Sequence, residues 1–413
     1  MVSIERLTTF QIFLYSSFFF VRFLLYILYF YDSLNSKTNK NKNIITVDKT
    51  ETHSSVSSYY GQTLTSSNDL KTNACCTSGS PIPHIQNAIN NIHPEVIAKY
   101  YGCGFVTPDL LDNCTVLDLG CGSGRDVYIA SQLVGENGKV IGVDMTTEQI
   151  NTAREYQDYH TEKFGYDKSN VVFYQGLIEE LDKIQELEDN SVDVIISNCV
   201  INLCPDKEAV LKSCYRVLKP GGELYFSDVY SNRRISEELR NDEVLWGECL
   251  SGALYWNDFH HLAKKCGFID PRLVDDSIIT INNKDVQDKI TTSGAGNLEF
   301  YSATYRLFKL DDTKLDPMCE DYGQAVIYKG TIPRFESGWA LDDHHYMETG
   351  KIFPVCGNTF NMLKETRFKD HFEFIGDFTT HYGIFDGCGT SIPYKSAGES
   401  GINAAASKGG GCC

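Results

Sequence analysis

The sequence predicts an α/β fold with a mostly parallel sheet over residues 95–285. Short apolar runs alternate there with helical segments, which is the pattern of repeated strand–helix–strand units. A glycine-rich loop of the form Asp118-x-Gly-x-Gly-x-Gly follows the first apolar run and opens a helix. A Lys219-Pro-Gly-Gly turn stops the last helix before the fifth run.

Five apolar runs are predicted as the strands of this sheet: 115–119, 139–143, 171–174, 192–197 and 223–228. Helices are predicted at 125–134, 147–164, 206–218 and 255–267, with a closing strand at 272–282. After residue 290 the chain becomes aromatic-rich, with short strands predicted at 299–309 and 323–330. We therefore predict six regions: a hydrophobic anchor or targeting segment at 1–35, a linker at 36–57, an arm carrying Cys75 at 58–94, the main domain at 95–285, a smaller α+β domain at 286–385 and a flexible Gly/Cys tail at 386–413.

Charge and cysteine content limit the function classes. The net charge of −18 over 413 residues argues against a nucleic-acid partner, because phosphate contacts need clustered Lys and Arg. Fifteen cysteines are too sparse for a disulfide miniprotein of this length, and their number is odd. We expect a reducing compartment, a cytosolic catalytic domain and a monomer.

The segment 10–31 is apolar and long enough to span a bilayer as a helix. Arg22 costs about 2.5–3.5 kcal/mol on the insertion scale, which the surrounding Phe, Leu, Ile and Val residues offset. The lysines that follow the segment place the C-terminal bulk in the cytosol if it is an anchor. A cleaved targeting peptide is the competing interpretation.

The glycine loop predicts a nucleotide cofactor. Glycines allow the ligand to approach the backbone, and Asp144, 22 residues beyond Gly122, has the spacing of a carboxylate that holds ribose hydroxyls. A dinucleotide fold and an S-adenosylmethionine fold both fit these features. The Gly-x-Gly-x-Gly form, the strand exit 193–198 and the turn 218–222 resemble the motifs of class I methyltransferases, so S-adenosylmethionine is the predicted cofactor.

Three cysteines lie in unusual sequence contexts around this loop, at Cys103, Cys199 and Cys249. Ligands of open α/β sheets bind at the carboxyl ends of the strands, so we expect these thiols to converge beside the cofactor. Three thiolates suit a soft, pyramidal centre such as trivalent arsenic. Zinc prefers four ligands and close Cys-x-x-Cys pairs, which are absent, and no structural metal is predicted. Core packing is the alternative for any single cysteine, and it is the interpretation we give to Cys114, Cys121, Cys204, Cys214 and Cys266.

From Ser57 to about Tyr382 the chain resembles the arsenite methyltransferases. The stretches that carry the resemblance are Tyr59-Tyr60-Gly61, the segment 69–75, Tyr100-Tyr101-Gly102-Cys103-Gly104, the segment 197–203 and Leu245-Trp246-Gly247-Glu248-Cys249-Leu250. Cys76 beside Cys75, Cys121 in the glycine loop and the hydrophobic N-terminus depart from the family pattern.

The resemblance implies a catalytic set of Cys75, Cys103, Cys199 and Cys249. In it, Cys199 and Cys249 bind arsenic with Cys103 as third ligand, and Cys75 forms a disulfide with Cys103 during turnover. The substrates would be arsenite and then methylated arsenicals, the reductant thioredoxin or glutathione, and the role arsenic detoxification. Methyl transfer to a lone pair needs no general base.

The cofactor contacts are predicted one by one. Tyr101 is expected over the methionine part of the cofactor. The adenine is expected beside Leu177, Ile178 and Glu179, and the ribose near Asp144, Met145 and Gln149. The remaining predicted contacts are Asp118, Gly120, Gly122, Gly124 and Asn198.

Two other functions compete with this one. A methyltransferase acting on a lipid or quinone would explain the apolar segment 10–31, although such a site should be lined by apolar residues rather than thiols. A protein that sequesters arsenic without catalysis would explain the thiols but not the glycine loop with Asp144.

Overall fold

The structure, a computed structural model, describes residues 49–60, 81–102, 105–242, 245–246, 249–281, 283–292 and 297–388. The segment 10–31 lies outside these ranges, so its anchoring role stays a prediction. No helix in the described ranges is long and apolar enough to cross a bilayer.

The central feature is one twisted sheet with the strand order β3-β2-β1-β4-β5-β8-β7, and β6 pairs with β5 off this path. Its strands are β1 (Thr115–Leu119), β2 (Lys139–Asp144), β3 (Val171–Gln175), β4 (Val192–Asn198), β5 (Leu218–Ser231), β6 (Leu254–Tyr255), β7 (Arg272–Ile278) and β8 (Phe300–Phe308). The first five pair in parallel, and β8 runs antiparallel to both β5 and β7. The predicted α/β class with a mostly parallel sheet is confirmed.

Helices cover the sheet and its cofactor-binding edge. They are α1 (Lys49–Ser58), α2 (Pro83–Asn90), α3 (Pro94–Ala98), α4 (Arg125–Val134), α5 (Thr147–Glu155), α6 (Gln157–Phe164), α7 (Lys207–Val217), α8 (Glu237–Arg240), α9 (Trp256–Lys265), α10 (Lys284–Thr292) and α11 (Gly357–Lys364). The single helix predicted at 147–164 is two helices, because the backbone leaves helical geometry at Tyr156 (φ −100°, ψ 13°).

The predicted linker at 36–57 is wrong in its last residues, which form α1. Only one residue of this helix, Val56, is apolar, and it is buried. The His53 ring lies 2.9 Å from the Glu179 carboxylate. Tertiary contacts therefore hold α1 in place, as they do for most short helices, and its own sequence gives little sign of a helix.

The predicted domain boundary at 285/286 is also wrong. Strand β8, which we assigned to the smaller domain, pairs with β5 over nine residues, from Glu223↔Phe308 to Ser231↔Phe300. Strand β5 pairs with β4 along one edge. Its other edge would present unpaired backbone groups to solvent, and β8 pairs with them. The aromatic-rich sequence after residue 290 therefore begins with β8, an antiparallel strand of the main sheet, and not with a separate domain.

A strand-rich lobe follows, built from α11 and the strands β9 (Glu320–Asp321), β10 (Ala325–Tyr328), β11 (Gly338–Ala340), β12 (Tyr346–Glu348), β13 (Ile352–Pro354), β14 (Phe372–Ile375) and β15 (Gly383–Ile384). Its core contains the buried aromatic side chains of Trp339, Tyr328, Phe360 and Phe368. Cys388, within the flexible tail predicted at 386–413, is buried in this lobe, and residues 389–413 lie outside the described ranges.

Buried ion pairs join the lobe to the main sheet. Glu223 of β5, which is fully buried, pairs with Arg306 of β8 at 2.8 Å and with Arg367 of the lobe. Arg272 of β7 lies 3.4 Å from Asp342 of the lobe, and Asp342 also accepts a 2.6 Å hydrogen bond from His345. Removing one partner of such a buried pair leaves an unpaired charge, so these contacts fix where the lobe sits.

Asp342→Asn is expected to destabilise the protein in a pH-dependent manner. Burial alone would raise the pKa of Asp342, but the hydrogen bond and charge of His345, with the charge of Arg272, lower it to about 2. A lowered carboxyl pKa stabilises the folded state above the unfolded pKa near 3.8 and loses that effect as the pH falls toward 2. Urea denaturation followed by tryptophan fluorescence should show a loss of about 2 kcal/mol at pH 7 that shrinks below pH 4.

The matched control for this prediction is Asp343→Asn, because Asp343 follows Asp342 in the chain and its carboxylate is exposed. Its free energy of unfolding should follow the wild type at every pH. A deficit in Asp342→Asn that does not change between pH 7 and pH 3 would contradict the linkage.

Candidate active site

A cleft of about 930 Å³, measured out to its open mouth, lies at the carboxyl ends of β1, β2 and β4. The parallel pairing of these strands brings their exits to one edge of the sheet, where open α/β sheets bind ligands. Eleven of the twelve predicted cofactor residues line it: Tyr101, Asp118, Gly120, Gly122, Asp144, Met145, Gln149, Leu177, Ile178, Glu179 and Asn198.

The glycine loop forms the floor of this cleft. The amide groups of Gly120 and Cys121 both donate to the Val143 carbonyl, at 2.7 and 3.0 Å, which holds the loop against β2. Gly120 has φ +67°, and a Cβ atom there would lie 2.4 Å from Cγ1 of Val200. Only glycine fits this position without moving the Val200 side chain.

Gly124 is the one predicted cofactor residue outside the cleft lining, so its cofactor contact stays a prediction. It precedes the first residue of α4, with φ +91°, and a Cβ atom there would come within 3.0 Å of the Phe173 ring. The third glycine of the motif therefore allows α4 to pack closely against the sheet.

Three carboxyl groups, those of Asp118, Asp126 and Asp144, give the cleft an acidic floor. Asp144, at the end of β2, accepts hydrogen bonds from the amides of Gly122 (2.9 Å) and Thr146 (2.8 Å), and its two oxygens keep lone pairs for a ligand. Burial raises the pKa of Asp144. Burial and the charges of Asp126 and Asp144 hold the pKa of Asp118 well above its ordinary value. A ligand with net positive charge would relieve this accumulation.

A polar cluster beside the loop was not predicted from the sequence. The Arg125 guanidinium lies 3.3 Å from the centre of the Tyr100 ring and donates to Asp126 at 2.8 Å. The amide of Asn198, at the end of β4, donates to the Tyr100 hydroxyl (2.7 Å) and to Asp126 (3.1 Å). The only available signal was that Arg125 and Asp126 directly follow the glycine loop.

Helix α1 and the residues just after it were the other omission, since His53 and Val56 of the helix and the following Tyr60 line the cleft. The Gln149 amide donates to the Tyr60 carbonyl at 3.1 Å, and the Tyr60 and Tyr101 rings meet edge to face at 5.5 Å. His53 contacts Glu179, one of the residues predicted beside an adenine. The helix therefore covers the cleft from above, where no motif had predicted a wall.

Cys199 and Cys249 come together just past β4. The Cys249 thiol donates to the Cys199 carbonyl at 3.4 Å, and both residues lie in one buried apolar cluster. Cys199 lines the cleft, whereas Cys249 lies behind it and is fully buried. Both have left-handed backbone, with φ +56° and +62°. Non-glycine residues in this region are strained, and such strain is concentrated at functional sites.

Hydrogen bonds to Asp228 of β5 fix the turn that carries Cys199. Asp228 accepts from the backbone amide of Asn202 at 2.9 Å and from its side-chain amide at 2.7 Å. Burial raises the pKa of Asp228 to about 6, although these amides oppose the rise. Lys207 closes the turn by donating to the carbonyls of Asn202 and Cys204, each at 3.0 Å.

Cys121 and Cys204 are buried in the apolar core as predicted, and they also line the cleft. Burial, with nearby carboxylate charges, raises the pKa of both thiols well above the ordinary value, so they stay protonated and unreactive. Cys75 and Cys103 lie outside the described residues. Cys199 is disulfide-bonded in this structure, whereas the sequence analysis gave it only an arsenic-binding role.

Comparison with known proteins places these features in a family context. Residues 110–267 match a family described as a methyltransferase domain, and residues 316–381 match a domain of unknown function, DUF8838. An arsenite methyltransferase of Aquipseudomonas alcaligenes is 57% identical over 87% of this chain and all of the relative. The Homo sapiens arsenite methyltransferase is 49% identical over 78% of this chain and 83% of its own length.

A solved structure agrees with these relatives. The arsenic (III) S-adenosylmethionine methyltransferase from Chlamydomonas reinhardtii superposes with a TM-score of 0.71 at 49% identity. The match covers 74% of this chain and all of that one.

Gly120→Ala is expected to weaken binding of S-adenosylhomocysteine by about tenfold or more, which is about 1.4 kcal/mol. The added methyl group would collide with Val200 and displace the loop from the cleft floor. Isothermal titration calorimetry measures the affinity directly.

Gly165→Ala is the matched control for that substitution. Gly165 is also left-handed (φ +76°, ψ 30°), but a Cβ atom there meets no atom of the described residues within 4 Å. Both variants should lose about 1–2 kcal/mol of stability from the left-handed backbone, while only Gly120→Ala loses affinity. Equal affinities in the two variants would show that the loop tolerates the displacement.

Proposed function

The chain belongs to the arsenite methyltransferase family, and we propose that it methylates trivalent arsenic bound by the thiolates of Cys199 and Cys249. Cys103 is the proposed third ligand, by family resemblance. The observation that carries the proposal is the pair of strained cysteines: Cys199 lines the cofactor cleft, and the buried Cys249 thiol donates to the Cys199 carbonyl. A cofactor site alone has no need of thiols there.

The cleft fits S-adenosylmethionine by charge and by its unsatisfied polar atoms. Nη2 of Arg125 and Oε1 of Gln149 are buried without a hydrogen-bond partner among the described residues, and both residues line the cleft. A carboxylate and a hydroxyl or amine of the ligand would satisfy them. The acidic floor suits a molecule with net positive charge. When bound, S-adenosylmethionine supplies a methyl group made electrophilic by its positive sulfur.

The protein's contribution is positioning. Asp144 would hold the ribose hydroxyls, while Leu177 and Ile178 would flank the adenine. Tyr101 and Asn198 would direct the methionine end toward Cys199. Holding two reactants in a near-attack geometry can supply roughly 7–11 kcal/mol of the barrier, and the arsenic lone pair carries no proton for a base to remove. This explains a reaction centre built from thiols and amides.

The arsenic chemistry requires a redox cycle. Transfer converts the arsenic lone pair into an arsenic–carbon bond, so arsenic becomes formally pentavalent. Two thiolates return it to the trivalent state by giving up two electrons and joining in a disulfide. By resemblance these thiolates belong to Cys75 and Cys103, and thioredoxin or glutathione would reduce the disulfide with two further electrons. The disulfide at Cys199 must likewise be reduced before that thiol can bind arsenic.

Repeated turns of this cycle would convert arsenite into methylated arsenicals. The cycle needs a reducing compartment, so we place the catalytic domain in the cytosol with a role in arsenic detoxification.

The decisive experiment is methyl transfer from labelled S-adenosylmethionine to arsenite by the full chain with the thioredoxin system. The full chain is needed because α1, which lines the cleft, starts at Lys49. Cys199→Ser and Cys249→Ser should lose activity on the order of 100-fold, since misplacing the nucleophile by about 1 Å costs that much. Their affinity for S-adenosylhomocysteine should be unchanged.

Cys114→Ser is the control, because Cys114 is partly exposed and lies outside the cleft lining. It should keep wild-type activity. Tight cofactor binding without methyl transfer to arsenite in the wild type would refute arsenic as the acceptor. Full activity in Cys199→Ser would instead refute its role as a ligand.

A further inference from the structure

A second group of cysteines lies in the C-terminal lobe, away from the cleft. The sulfur atoms of Cys319, Cys356 and Cys388 all lie within 4.8 Å of one another, and all three residues are buried. None of them lines the cleft. We call this group the lobe thiol cluster.

The fold brings these cysteines together from three separate segments. Cys319 directly precedes β9 and Cys388 follows β15, and the antiparallel pairing of β9 with β15 places them side by side. The amide of Phe385 donates to the Cys319 carbonyl at 2.9 Å, which extends that pairing toward the cluster. Cys356 immediately precedes the first residue of α11, so its sulfur lies at a helix N-terminus.

The surroundings of Cys356 favour a thiolate. The Thr359 hydroxyl lies 3.4 Å from its sulfur, and the buried Arg272 guanidinium approaches to 3.8 Å. A helix N-terminus adds to the same effect.

We propose that the lobe thiol cluster is a binding site for a soft, thiolate-seeking ion held by the three sulfur atoms of Cys319, Cys356 and Cys388. Soft thiolates select such ions, and three converging sulfurs within 4.8 Å have the spacing of a shared centre. Zinc and trivalent arsenic share this chemistry. Zinc would complete its four ligands with one further group, whereas trivalent arsenic needs only three and gives a neutral complex.

The site would also tie the lobe together. An ion bound there would link the β9–β15 pair to the start of α11. It would act in the folded state alone, so binding would stabilise the lobe by mass action. Thr359 and Arg272 would then act as outer contacts that orient the Cys356 sulfur. The sequence predicted no structural metal because Cys-x-x-Cys pairs are absent. The fold instead brings three cysteines together from distant segments.

The test measures bound ions in the full chain, purified under a non-thiol reductant. One arm measures zinc by mass spectrometry in protein grown with zinc. The other arm measures arsenic that stays bound after metal-free protein is mixed with arsenite and desalted. In at least one arm, Cys356→Ser and Cys388→Ser should each lose one ion per chain relative to the wild type. Cys266→Ser, another buried cysteine, should lose none.

A further variant, Cys199→Ser, distinguishes arsenic bound at the proposed catalytic thiols from an ion bound at the lobe thiol cluster. The proposed function predicts that Cys199→Ser loses one arsenic per chain and keeps the ion of the cluster, so failure of one proposal leaves the other readable. Circular dichroism checks that each variant is folded, and two independent cysteine variants guard against a single misfolded one. Equal zinc and arsenic contents in the wild type and in both folded cluster variants would overturn the proposal. So would a disulfide between two of these cysteines that persists under the reductant.

Discussion

The register of three neighbouring parallel strands sets the positions of the glycine loop, Asp144 and Cys199. Asp118 of β1 pairs with Gly142 of β2 and with Ile196 of β4, so the three strands end level with one another. The glycine loop, Asp144 and the Cys199 turn leave the sheet from those ends. A shift of one residue in either pairing would turn alternate side chains to the opposite face and separate the acidic floor from the thiols.

The turn that carries Cys199 is held in place by residues outside the cleft lining. Asp228 on β5 holds the Asn202 turn, and β5 is itself completed by β8. The fully buried Glu223 connects those two strands to the lobe through Arg306 and Arg367. The lobe therefore supports the thiol side of the site at a distance, through the strand on which Asp228 lies, while the cofactor side depends on β1 and β2.

The strands and most residues that line the cleft were predictable from the sequence because each has a local signal. Apolar runs marked β1 to β4, and a glycine loop before a helix marked the floor of the cleft. Helix α1 had no such signal, because its sequence is almost wholly polar and its contact with Glu179 spans more than a hundred residues. Strand β8 was assigned to the wrong domain because composition does not record which edge a strand pairs with. The left-handed backbone at Cys199 and Cys249 likewise depends on tertiary contacts and not on neighbouring residues.

The left-handed backbone at Cys199 and Cys249 lowers the stability of the fold at the two positions where the proposed reaction needs thiols. At φ +56° and +62°, glycine would relieve the strain that each cysteine imposes on the fold. Selection for a durable protein alone would favour that exchange, since natural chains readily accept stabilising substitutions. The two thiols therefore oppose the stability of the fold, and a lineage that lost exposure to their substrate would be expected to lose these cysteines early, with the glycine loop and the sheet still intact.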